Sequence, residues 1–203
     1  MKLNLKDIQK YLFPFKRIFS KYRQIKSLEQ VKNFIQEQSA QISQMTLYGY
    51  LKTRMGAKHV LMFEDKDFLN SINIAKWHIY TASLIDCTFY CISFLHKEGK
   101  LVQTSEANKI FFDILNTEKA NGMISEAYDS ATKIFNSRYD KMDWINYCNY
   151  KPFEFSCNEL YKWSPIAEEL KKLDKKIVIN SMFLKWNNTQ NEFKRLTNKF
   201  NNK

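Results

Sequence analysis

Glycine and proline are nearly absent from this chain, at four and three of 203 residues. Turn-rich β architectures need both at many positions, so their scarcity excludes such folds and favours helices joined by short connections. Four glycines also leave no loop able to cradle phosphate, and neither a P-loop nor a dinucleotide fingerprint occurs. The Gly-x-Ser-x-Gly nucleophile elbow is missing. HExxH is missing too. No histidine has a carboxylate three residues before it, so the Glu-x-x-His pairs of di-iron bundles are absent. The four cysteines, Cys87, Cys91, Cys148 and Cys157, form no CxxC and have no histidine close in sequence. They read as ordinary thiols of a reducing compartment. Nothing in the sequence calls for a metal or cofactor.

What is present is helical periodicity and an uneven charge. Residues 1–26 carry eight basic side chains against Asp7 alone, and residues 171–203 carry nine against Asp174 and Glu192. The ends are therefore +7 each and the middle −3, within a formal net charge of +11. Cationic ends on a nearly neutral body point to an anionic surface or partner. The basic ends are interleaved with aromatics, which suits nucleic acid, but no nucleic-acid motif accompanies them, so this ranks lower.

The length suits one domain with a real core. The expected fold is an irregular all-α bundle of about seven to nine helices. A basic amphipathic segment spans 1–26, and a single helical domain spans 27–203. In the first segment Ile8, Tyr11, Leu12, Phe15, Ile18, Phe19 and Tyr22 follow helical spacing, with Pro14 imposing a break. Ser27 followed by Gln30 is a capping box opening a helix that ends at Met55 before Gly56. The carboxylates of Glu64, Asp65 and Asp67 suit the start of a helix near 66 running to about Glu98. That helix is apolar almost all round and should be the buried centre, with 28–55 and 174–200 packed along it. Lys76 and Asp86 argue against its crossing a membrane, although about 20 apolar residues suffice for a span.

Further helices are expected at 105–118, 125–138, 140–149, 157–163 and 165–172, the last opened by Ser164-Pro165. The final helix is expected from Asp174 to Phe200, with Ile177, Met182, Phe183, Trp186, Phe193, Leu196 and Phe200 on its apolar face. The asparagine-rich tail from Asn198 should fray. Gly49 within a helix suggests the close approach of another element.

Candidate functional residues fall into three groups. Lys6, Lys10, Lys16, Arg17 and Lys21, backed by Phe15, Ile18 and Phe19, suit an anionic membrane interface. Asp86, among Leu84, Ile85, Cys87, Phe89 and Tyr90, needs a buried partner or a raised pKa. Arg54 or Lys52 is the expected structural partner; alternatively Arg54, His78 and Asp86 line a pocket. Tyr161 and Trp163 can form a partner-binding corner, or Trp163 folds over the core. His59 and His96 are expected to be exposed near helix ends.

Four stretches carry a family resemblance: TLYGYLKTRMG at 46–56, FED at 63–65, SINIAKW at 71–77 and LYKWSPIAEELKKLDKKIVINSMFLKW at 160–186. They resemble an uncharacterised family of small alphaproteobacterial proteins, some loosely labelled esterase. The resemblance implies a hydrolase as the alternative function but brings no catalytic motif to any position here. The leading expectation is a non-enzymatic accessory protein. It would be cytoplasmic or peripheral on the inner membrane face, docking through its basic amphipathic ends onto an anionic membrane surface or an acidic protein partner.

Overall fold

The computed structural model describes residues 24–56, 64–101 and 103–200. The described residues are all-helical, with six α-helices: α1 (Leu28–Met55), α2 (Lys66–Lys97), α3 (Glu106–Ala120), α4 (Ser125–Tyr139), α5 (Glu154–Trp163) and α6 (Glu168–Leu196). A single 3₁₀ turn, Tyr147–Asn149, lies between α4 and α5.

Helix α2 is the axis of the fold. Every residue from Ala75 to Leu95 is buried, as expected for a helix that is apolar on all sides. Several of its hydroxyls are satisfied within the core, although the Tyr90 hydroxyl has no hydrogen-bond partner among the described residues. Thr88 Oγ1 donates to the Leu84 carbonyl at 2.7 Å, and Ser83 Oγ accepts from Ser43 at 3.0 Å. Around α2 pack α1, α3, α4, α5 and the 3₁₀ turn. Stacked rings weld the layers: Phe111 on Phe135 at 3.9 Å between α3 and α4, and Phe89 on Phe135 at 5.0 Å between α2 and α4.

The last helix is placed differently from expectation. It packs on α5 and α1 rather than lying along α2. Its contact with α2 runs through Phe193, whose ring meets Tyr90 and Phe94. Trp186 of α6 instead stacks on Phe153 at 4.1 Å.

The caps of α1 and α2 follow the sequence. Ser27 accepts from the Gln30 N–H at 3.3 Å, while Gln30 Oε1 reaches back to the Lys26 N–H at 2.7 Å. Asp65 Oδ1 accepts from the Asp67 and Phe68 N–H groups at 2.9 and 3.0 Å. Gly56 closes α1 with φ of 55°, a left-handed value that glycine adopts at little cost.

Two expected helices are not formed. Residues 140–149 make turns: the Asp143 carboxylate accepts from the Ile145 and Asn146 N–H groups, an Asx turn that competes with the helix. Lys151, ahead of Pro152, takes φ of 42°, outside the helical region. Nor does a separate helix occupy 165–172. Ser164 caps the C-terminus of α5, and one unbroken helix runs on from Glu168, because nothing in Leu170–Asp174 interrupts it. Of the tail expected to fray, Phe200 is buried, and just before the tail the Thr197 carbonyl accepts from Lys100 Nζ at 3.1 Å, while residues 201–203 lie outside the described residues. At the other end Ile25 is fully buried and its N–H donates to the Leu196 carbonyl at 3.0 Å.

Candidate functional site

The three expected pocket residues are held in three separate arrangements. Asp86 is fully buried, and its partner is Arg138 of α4 rather than Arg54 or Lys52, with Nη1 2.8 Å from Oδ1. The other oxygen accepts from the Ser156 N–H at 2.7 Å, at the start of α5. Tyr147 completes the network. Its hydroxyl accepts from Arg138 Nη2 at 3.0 Å, and its proton serves Asp86 at 3.1 Å or the Pro152 carbonyl. Burial pushes the Asp86 carboxyl above the usual range, against the pull of Arg138 and the Ser156 amide. The guanidinium sits near the faces of Phe89 and Phe155, at 5.3 and 4.8 Å. On its outer side Arg138 borders an open cleft of about 480 Å³ with Lys141, Asn146 and Tyr150.

Arg54 is committed elsewhere. It forms a two-pronged pair with Asp174 of α6, through Nε and Nη2, and Tyr50 donates to the same carboxylate at 2.9 Å. The Arg54 guanidinium holds the Asp174 carboxyl below its usual range. Burial, reinforced by Asp174, pushes the Tyr50 phenol up to about 12.

His78 is buried on α2, and its ring lies flat on Trp163 with centroids 3.7 Å apart and planes 2° apart. Nε2 has no hydrogen-bond partner among the described residues. Burial lowers its pKa, against the attraction of Glu126 and Glu159. Trp163 in turn donates from Nε1 to Glu159 at 2.7 Å. This is the covering role for Trp163. Its neighbour Tyr161 is half-buried, with Lys171 and Lys175 near its ring at 5.8 and 5.5 Å. His96 is half-buried, its Nδ1 3.2 Å from the Leu101 carbonyl, and His59 lies outside the described residues.

The cysteines Cys87, Cys91 and Cys157 are buried and Cys148 is half-buried, all as free thiols. Among the described residues no cluster of side chains is arranged to hold a metal ion. Among those residues also, no helix is long and apolar enough to cross a membrane.

The most unusual surface belongs to α6. Leu173, Ile177 and Leu184 are 75%, 70% and 65% exposed, and Leu170 is exposed beside them. At about 100° per residue these four fall on one stripe, turned well away from the face formed by Val178, Met182 and Trp186. Ile177, expected in the core, therefore faces outward. Of the exposed lysines nearby, Lys176 borders this stripe, whereas Lys172 lies about 100° from its edge and Lys175 on the opposite side of the helix, near the Tyr161 ring. The sequence contains the signal, since 170, 177 and 184 repeat every seventh residue. A break expected before Asp174 divides that stripe between two helices. Arg138 and Tyr147 carry no comparable signal. A lone arginine and a tyrosine in polar segments gain meaning only when α4 and the 3₁₀ turn meet Asp86.

Beside the stripe, α1 and α6 enclose a groove of about 520 Å³ whose wall includes Met45, Gly49, Arg54 and Ile177. A Cβ built on Gly49 would meet nothing within 4 Å, so the expected close approach of another element at this glycine does not occur among the described residues. The expected anionic-surface residues Lys6, Lys10, Lys16, Arg17, Lys21, Phe15, Ile18 and Phe19 lie outside the described residues. Comparison of the chain with family models, curated proteins and solved structures finds no match.

Proposed function

We propose that this is a non-enzymatic interaction protein that docks through cationic, apolar helical surfaces onto an anionic macromolecular surface. The observation that carries this reading is the exposed stripe Leu170, Leu173, Ile177 and Leu184, bordered by Lys176 on a helix that also exposes Lys172 and Lys175. Large aliphatic side chains clustered in water cost free energy that contact with a partner recovers, and clustered apolar exposure marks interaction surfaces. The lysines supply attraction to negative charge, and among the described residues none of the three forms a salt bridge. The N-terminal set Lys6, Lys10, Lys16, Arg17 and Lys21, with Phe15, Ile18 and Phe19, repeats the same chemistry at the other end of the sequence. An anionic membrane surface and an acidic protein both meet these requirements.

The test is co-sedimentation of the full chain with phosphatidylcholine vesicles, with and without phosphatidylserine, across rising salt. The membrane form predicts binding only when phosphatidylserine is present, weakened by salt as charge is screened. The Leu173→Glu/Ile177→Glu variant should bind less, and so should Phe15→Glu/Ile18→Glu. Equal recovery with both lipid mixtures, or variants that sediment like the parent, would remove the membrane form. The acidic-protein form is then decided by the peptide experiment below.

A further inference from the structure

The groove between α1 and α6 does not end with the cleft at Gly49. A second cleft of about 210 Å³ continues it past Met45 and Lys185 to Gln38 and Glu192, so the two share a wall. From Gln38 to Thr53, α1 rises by roughly 22 Å at about 1.5 Å per residue, which is the length of about four helical turns. Three features make this furrow a receptor for a helix. Its floor is lowered at Gly49, where there is open space in place of a side chain. Its lips are apolar and exposed, with Met45 on α1 and Ile177 on α6. Its rim is positive. Lys52 lies on the Met45 side, and Lys185 reaches into the furrow itself. Neither lysine forms a salt bridge among the described residues. Of the acids at the furrow, Asp174 is paired with Arg54, and Glu192 lies at the far end, 3.9 Å from Arg195.

A flat bilayer rests on the convex leucine stripe and does not reach the floor at Gly49. The basic N-terminal segment of this chain meets the same cations with like charge. We infer that the α1/α6 groove receives an acidic amphipathic helix of a partner protein, about four turns long. Its apolar side would lie over Met45, Gly49 and Ile177, and its carboxylates would face Lys52 and Lys185. This rests on the reading of α6 as a cationic docking surface and names its partner class.

The probe is a fluorescent helical peptide of about four turns, with leucines along one face and glutamates elsewhere, titrated with the full chain and followed by anisotropy. Saturable binding that weakens with salt is expected. Gly49→Trp, which fills the floor, and Lys185→Glu should each weaken it at least about tenfold. Circular dichroism melting checks that both variants fold; if Gly49→Trp melts early, Met45→Glu takes its place. Absence of saturable binding, equal binding of a lysine-for-glutamate peptide, or an unchanged affinity in Gly49→Trp would overturn the inference. So would loss of phosphatidylserine-vesicle binding in Gly49→Trp, which assigns the furrow to lipid; retained vesicle binding beside lost peptide binding supports it. If Lys172→Glu/Lys176→Glu changes neither vesicle nor peptide binding, the parent reading fails as well, whereas silence of Gly49→Trp alone sinks only the groove.

Discussion

Asp86 and Arg138 form an ion pair in which the carboxylate is entirely inside the protein and the guanidinium reaches the edge of a cleft, 2.8 Å between the charged atoms. The pair ties α2 to α4, and through the Ser156 amide and the Tyr147 hydroxyl it also ties in α5 and the turn before it. Removing one member leaves the other charge without a counter-ion in a largely dry place. Asp86→Asn should therefore lower stability by about 3 kcal/mol, a fall of roughly 10 °C in Tm for a chain of this size. Thermal melting followed by circular dichroism measures it. A variant that melts like the parent yet loses turnover on an ester panel would shift the case toward an enzyme.

Tyr147→Phe tests the same network more gently. It removes a hydroxyl that accepts from Arg138 and donates within the cluster, leaving the ring against Phe89 in place. The expected cost is about 1–3 kcal/mol, read from urea unfolding midpoints. A shift below a few tenths would show that water entering the cleft replaces the hydroxyl.

His78 makes stability depend on pH near neutrality. Its folded-state pKa lies below the unfolded value because burial disfavours the imidazolium. The unfolded chain then binds the proton more readily, so stability is complete above about pH 6.5 and declines as the pH falls through the interval down to the folded pKa. His78→Phe keeps a flat ring on Trp163 and removes the unpartnered Nε2. It should flatten this part of the stability profile while costing less than about 1.5 kcal/mol at pH 8. Parallel profiles for the two proteins would contradict the assignment.

Asp174 acts lower on the scale. Its carboxyl is held below the usual range by Arg54 and Tyr50, so its contribution is present above about pH 4 and fades as acid takes the pH through the folded value. Arg54→Met should remove much of that acid sensitivity. Denaturant midpoints compared at neutral pH and below about pH 4 would show the difference between the two proteins narrowing in acid.

Gly49→Ala should stabilise the protein by about 0.5–1 kcal/mol. The new methyl meets open space, and alanine loses less backbone freedom on entering a helix. Destabilisation would contradict open space at the groove floor.

Local chemistry in this chain was legible where it is written in adjacent residues. Ser27 and Asp65 announce their helices because a cap is satisfied by amides two or three positions away. The burial of α2 follows from an apolar run that no single-faced surface could accommodate. Residues 140–149 were misjudged because Asp143 can bond its own downstream amides as readily as a helix can. The break expected before Asp174 was misjudged for the opposite reason. Ser164-Pro165 resembles a helix start, but the serine bonds backward to Leu160 and ends α5 instead.

The sequence by itself determined an all-helical chain, a central buried helix and two cationic ends, because propensity, capping and charge depend on composition and short spacing. Only the tertiary structure decided that Asp86 belongs to Arg138 and Arg54 to Asp174, and that His78 lies under Trp163. It alone turned Ile177 and its leucine neighbours outward. A carboxylate's partner and a helix's outer face are fixed by which distant elements pack together, and no spacing along one chain encodes that meeting.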